Sequence, residues 1–102
     1  MEITIEKTQD GALAYLKGEI DHHNAKIARE QLDRFIEDEK PISFGLELSG
    51  VGFCDSSGLG LVMGRMRKCQ SVGGQLYIQS PSRASMTILE IAGMDKILKI
   101  VR

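Results

Sequence analysis

The stretch Phe53-Cys54-Asp55-Ser56-Ser57-Gly58-Leu59-Gly60 decides how this chain is read. It lies where an apolar run gives way to a helix, so it marks a strand-to-helix turn, the joint of an α/β fold. It places two hydroxyls and one carboxylate at that joint. A phosphate added there meets the positive end of a helix dipole. This points to a site where another protein switches charge on and off, more than to a site where the chain does chemistry itself.

Working outward, Ile42 to Leu48 reads as the buried strand before the joint, with Ser49-Gly50-Val51-Gly52 as a loop. The helix after it is expected from about Ser57 to Ser71, capped by Ser56 and ended by Gly73-Gly74. Upstream, Ile3-Thr4-Ile5 and Leu13-Ala14-Tyr15-Leu16-Lys17 alternate around Asp10-Gly11, which predicts an opening hairpin whose second strand stops at Gly18. Ala25, Ile27, Ala28, Leu32, Phe35 and Ile36 form a helical stripe from about His22 to Glu39, capped by Asp21 and stopped by Lys40-Pro41. Downstream, Gln75 to Gln79 reads as a strand. Ser82 to about Ala92 reads as a helix with Gly93 as its C-cap. Residues 96–101 fit a last strand or a short helix. Strands alternating with helices imply a small mixed β-sheet: an antiparallel opening hairpin, otherwise mostly parallel, packed with helices.

The 102 residues suit one domain able to bury a core. Hydrophobic residues make up 42% and charged residues 26%, as in an ordinary globular protein. The net charge of −1 leaves no surplus of Lys and Arg to neutralise phosphates, which argues against nucleic acid and against a polybasic membrane anchor. Met1-Glu2-Ile3-Thr4 lacks the basic start of a signal peptide, and no apolar run approaches the roughly 20 residues that span a bilayer. A cytoplasmic location is expected. Cys54 and Cys69, the only cysteines, read as reduced, buried small hydrophobes, and they and His22-His23 lack metal-ligand spacing.

A helical wheel at about 100° per residue sets Leu59, Val62, Met63, Met66, Cys69 and Gln70 opposite Ser57 and makes that side the core face. Leu61, Gly64 and Lys68 share the Ser57 side, with Gly60 near its edge. The wheel thus predicts an unburied leucine between two glycines, each costing roughly 1 kcal/mol in a helix interior. Two readings stand. Either a partner's backbone approaches this flat stripe, or the glycines pack against an element of the same domain.

Three chemistries compete at the joint. Asp-Ser-Ser-Gly-Leu-Gly is not the Gly-x-Ser-x-Gly of a hydrolase, and a triad built on His22 or His23 lacks an orienting third group. Gly58-x-Gly60-x-x-x-Gly64 is one residue too long for a dinucleotide fingerprint and lies inside the helix, and no Gly-Lys-Ser/Thr is present. A phosphoacceptor serine needs no local base if a kinase brings one. Phosphorylation adds about −1.5 to −2 charges, and Asp55 and Asp21 deepen the negative field against a partner shaped for the neutral serine.

The segments Gly18-Glu19-Ile20-Asp21-His22-His23, Phe53 to Gly60, Met63-Gly64-Arg65 and Gly73-Gly74, with the spacing between them, resemble the STAS-domain anti-anti-sigma factors. The resemblance covers nearly the whole chain. It implies that Ser57 is the phosphoacceptor and that Asp21 lies near it. It also implies a cognate anti-sigma factor that is a serine kinase using its own ATP, and a metal-dependent serine phosphatase that reverses the transfer. The unphosphorylated form would bind the anti-sigma factor and free the sigma factor. Cys54 stands where the family often has methionine. The chain ends at Arg102, where many relatives continue into a C-terminal helix, which would leave apolar surface near Ile97 or Ile100 open for self-association.

The expectation is a non-enzymatic anti-sigma factor antagonist without a cofactor of its own. Ser57 is the switch. Asp21, Asp55, Ser56 and Gly58 shape the site, and Gly60, Leu61 and Gly64 contribute to the partner face. The alternatives are a STAS module of a transporter or signalling complex outside sigma control, and a weak nucleotide-binding or hydrolytic domain.

Overall fold

A computed structural model describes residues 1–102. The alternating Ile3 and Ile5 form β1 (Glu2–Lys7), which turns back into β2 (Gly11–Ile20). The Thr8 N–H donates to the Gly11 carbonyl at 2.9 Å and closes the turn. The two strands are antiparallel, with Ile5 opposite Ala14. Helix α1 (His22–Glu39) follows at once, and Asp21 Oδ1 accepts the Asn24 N–H at 2.8 Å to cap it. Its stripe of Ala28, Leu32 and Ile36 is buried. Lys40 then enters the left-handed region at φ 46° ahead of Pro41, which cannot continue the helix.

Strand β3 (Ser43–Cys54), helix α2 (Ser56–Ser71), strand β4 (Gln75–Gln79), helix α3 (Arg83–Ile91), a short 3-10 turn (Met94–Lys96) and β5 (Lys99–Val101) complete the chain. The sheet runs β1-β2-β3-β4-β5, and every pair after the hairpin is parallel. Right-handed crossovers between successive neighbours place all three helices on one face. The core lies between that face and the helices. Ala12, Ala14 and Leu16 of β2, Phe44, Leu46 and Leu48 of β3, and Ile78 of β4 meet Leu32 and Ile36 of α1, Val62 and Cys69 of α2 and Leu89 of α3. Phe35 stacks on Phe44 with ring centroids 5.6 Å apart. No helix is long and apolar enough to cross a membrane.

The structure corrects four local expectations. Ser49 to Gly52 is not a loop, because β3 runs through it to Cys54, and β2 does not stop at Gly18 but reaches Ile20. The extension survives two glycines because β2 tracks β3 through register shifts around Lys17 and Gly18, with Gly18 at φ 123°. The cap of α2 is Asp55, not Ser56, which is the first helical residue. At the end of α3 the cap position is Ala92, and Gly93 follows it in the left-handed region at φ 72°. The segment read as strand or helix is both, a 3-10 turn and then β5. Ile97 is exposed and Ile100 half-buried.

Candidate functional site

The extra length of β2 and β3 builds the site. In their parallel register Ile20 stands opposite Cys54, so Asp21 and Asp55 leave the sheet side by side. The Asp55 N–H donates to the Ile20 carbonyl at 3.2 Å and ties the two exits together. Each aspartate caps the helix that follows it: Asp21 takes the Asn24 N–H, and Asp55 Oδ1 takes the Ser57 N–H, both at 2.8 Å. Helices α1 and α2 therefore start together and run parallel. Their seam continues through Arg65 with Asp33 and Lys68 with Glu37.

Ser57 is half-buried at the mouth of this seam and Ser56 is exposed beside it. Ser57 and Gly60 form one wall of an open groove of about 450 Å³, His22, Ala25, Lys26 and Arg29 of α1 form the other, and Leu61 lies between them. Gly58 is buried behind them, and a Cβ there would collide with Cys54 Sγ. This close approach is why the position holds glycine. Burial, helped by the Asp55 charge, pushes the Cys54 thiol above its ordinary value and keeps it protonated. His22 shares the groove with Ser57, but the nearest acid in sequence, Asp21, is engaged in capping α1. No group of His, Cys, Asp and Glu is arranged to hold a metal.

The structure keeps Val62 and Cys69 of the wheel's core face in the core but turns the buried stripe toward Ser57. Leu61 is buried, as are Gly58, Val62, Arg65 and Cys69. That stripe is centred about 100° from Ser57 rather than opposite it. Leu59, Met63 and Met66 are only half-buried at the core edge. The wheel takes the most apolar side as the core face, whereas α1 covers the flank of α2 that carries Leu61 and Arg65. Leu61 is thus the floor of the groove, not an exposed knob. The glycines behave differently. Gly60 is exposed and Gly64 half-buried, and a Cβ at either would meet nothing within 4 Å. No element of this domain requires them to be small.

A sequence model of the STAS domain matches residues 2–102. The chain belongs to the STAS-domain family. Among its relatives, the anti-sigma F factor antagonist of Paenibacillus polymyxa is 30% identical over 100 residues, covering 98% of this chain and 86% of the relative. The anti-sigma factor antagonist SpoIIAA in its unphosphorylated form superposes with a TM-score of 0.83 at 25% identity, over 99% of this chain and 89% of the other. SpoIIAA of Bacillus, a cell fate determinant, is also similar in its phosphorylated form, with a TM-score of 0.76 at 26% identity over 99% and 92% of the two chains. The five-stranded mixed sheet with three helices is the STAS fold expected from the sequence.

Within this STAS domain, sequence reasoning brought Asp21, Asp55, Ser56, Ser57 and Gly58 to one place, and the structure places them together. It gave no role to Lys26 and Arg29, or to Phe53, which is exposed at the end of β3. The available signal was spacing. His22, Lys26 and Arg29 follow one another at i, i+4 and i+7 directly after a capping aspartate, and so share one face of α1.

Proposed function

We propose that this chain is an anti-sigma factor antagonist whose docking is controlled at Ser57. The observation that carries the reading is that Ser57 and Gly60 line one groove, beside helix surface left open at Gly64. A hydroxyl at the first turn of α2 is within reach of another protein's active site. The open glycines let that protein's backbone lie close to α2. The kinship with anti-sigma factor antagonists, and with SpoIIAA in both phosphorylation states, supports the same reading.

The unphosphorylated chain docks on a cognate anti-sigma factor and frees the sigma factor. Gly60 and Gly64 form the contact surface and Leu61 the groove floor. The anti-sigma factor is a serine kinase that holds the ATP, so this chain has no cofactor and catalyses nothing. Transfer forms the Ser57 Oγ–P bond, breaks the β–γ P–O bond of ATP and releases ADP and the hydroxyl proton. Phosphorylation, which adds about −1.5 to −2 charges, blocks docking. The Asp55 cap holds the turn, so the fold survives. A metal-dependent serine phosphatase hydrolyses the ester and resets the switch. These proteins act in the cytoplasm.

Calorimetry of Ser57→Asp against the cognate anti-sigma factor tests the reading. The substitution is expected to weaken docking about a hundredfold, toward the upper end of typical coupling between a switch and a binding event, with an unchanged circular dichroism spectrum. Docking as tight as that of the unsubstituted chain sinks the switch. ATP alone is expected to yield neither phosphoprotein nor ADP.

A further inference from the structure

The groove beside Ser57 is cationic, and nothing in the unphosphorylated chain uses its charge. Lys26 and Arg29 line it and take part in none of the ion pairs of the structure, which join Lys7 to Glu39, Arg65 to Asp33 and Lys68 to Glu37. His22 adds a third nitrogen-bearing side chain on the same face of α1. No carboxylate lines the groove. The acids that flank it, Asp21 and Asp55, each have one oxygen on a backbone N–H at 2.8 Å. Arg65, further along the seam, is neutralised by Asp33. The only residue in this wall that can gain negative charge is Ser57.

We infer that the groove is a phosphate clamp acting in cis: once Ser57 is phosphorylated, its phosphate folds back against Lys26 and Arg29 of α1. This rests on the reading of Ser57 as phosphoacceptor. The charges match. A phosphoserine carries about −1.5 to −2, and the two cations opposite bring two positive charges. A cavity of about 450 Å³ holds a phosphate with room for water. Arg29 can grip two phosphate oxygens at once, whereas Lys26 acts as a point charge. The consequence concerns how docking is blocked. A clamped phosphate fills the groove and occupies its cations, and the phosphate and the two cations together carry a net charge near zero. The block is then occupancy of the groove rather than a negative field projected at the partner.

The test uses the intact chain with phosphoserine installed at position 57 during translation, followed by phosphorus NMR against pH. The reference is an unfolded peptide carrying the same phosphoserine. The second phosphate ionisation is expected roughly one unit below that of the peptide, a tenfold shift in proton affinity. In K26Q/R29Q most of that shift is expected to vanish, and in the charge-conserving K26R/R29K it is expected to persist. Both positions are exposed, so circular dichroism is expected to be unchanged. A phosphate that titrates alike in the phosphoprotein and in K26Q/R29Q overturns the clamp, as does an equal loss of the shift in both double variants. The readout needs no partner. A clamped phosphate on a chain whose docking it does not block would refute the proposed function alone, and a blocked docking with an unclamped phosphate would refute the clamp alone.

Discussion

Arg65 Nε lies 2.8 Å from Asp33 Oδ1, on the seam where α1 and α2 run side by side. Arg65 is only 5% exposed, and its Nη1 has no hydrogen-bond partner. The pair meets as charges without good hydrogen-bond geometry at Nε. Burial lowers the Arg65 pKa from its ordinary value, opposed by the Asp33 charge and reinforced by the nearby Arg29. Desolvation of the guanidinium offsets much of the attraction, so the contact adds little net stability while it joins the two helices at one point. It holds Arg29 and Lys26 of α1 in step with Ser57 and Leu61 of α2.

The two ways of removing this pair are expected to differ in cost. Asp33→Ala leaves a guanidinium buried without its counter-charge and is expected to cost about 2–4 kcal/mol, less than a fully buried pair because Asp33 is partly exposed. Asp33→Ala combined with Arg65→Met replaces the charge with an apolar chain of similar length and is expected to recover most of that loss. Urea denaturation of both variants reads the difference through the midpoint at constant slope. A double variant no more stable than the single one would show that the guanidinium is not the source of the cost.

Cys69 is expected to make stability fall at alkaline pH. It is fully buried, and that burial pushes its thiol from 9.0 up to about 11, with the neighbouring Arg65 charge opposing the shift. A folded pKa above the unfolded value means that the folded chain keeps a proton the unfolded chain releases. Stability is unaffected below the unfolded pKa and falls as pH rises toward the folded one. The loss between about pH 9 and 11 is expected to be on the order of 2 kcal/mol. Cys69→Ala lowers stability at neutral pH by leaving a small cavity but flattens the alkaline decline. Parallel declines in the two proteins, followed by chemical denaturation, would assign the slope to other groups.

The joint at Asp55 to Gly58 was legible because its chemistry is local. A short acid before hydroxyls and a glycine at a strand end can cap a helix whatever surrounds it, and only the cap itself, expected at Ser56, falls one residue earlier at Asp55. Helix α1 was legible for the same reason, with an apolar stripe between Asp21 and Lys40-Pro41. The far end of β3 was not. Gly50 and Gly52 carry the local signal of a loop, and pairing with β2 across the bulge near Gly18 overrides it. The burial of Leu61 was not legible either, because it is set by a second helix that the sequence of α2 does not contain. The groove cations were missed because Lys26 and Arg29 belong to the polar side of α1. They read as a solvated face until the parallel packing of α1 and α2 turns that side toward Ser57.

The glycines of α2 separate fold from docking. Gly60→Ala and Gly64→Ala place a methyl group in open space and improve helix propensity, so each is expected to stabilise the isolated chain by roughly 0.5–1 kcal/mol. If a partner's backbone lies against this face, the same methyl groups obstruct it, and affinity for the anti-sigma factor is expected to fall tenfold or more for each variant, about 1.4 kcal/mol. Gly58→Ala is the internal contrast. Its methyl group collides with Cys54 Sγ inside the fold, so it is expected to destabilise by about 1–3 kcal/mol and to be rescued by Cys54→Ala, which removes the sulfur. Thermal melts read the first effect and calorimetry the second. Stabilised Gly60→Ala and Gly64→Ala variants that dock as tightly as the original chain would move the partner's footprint off this face of α2.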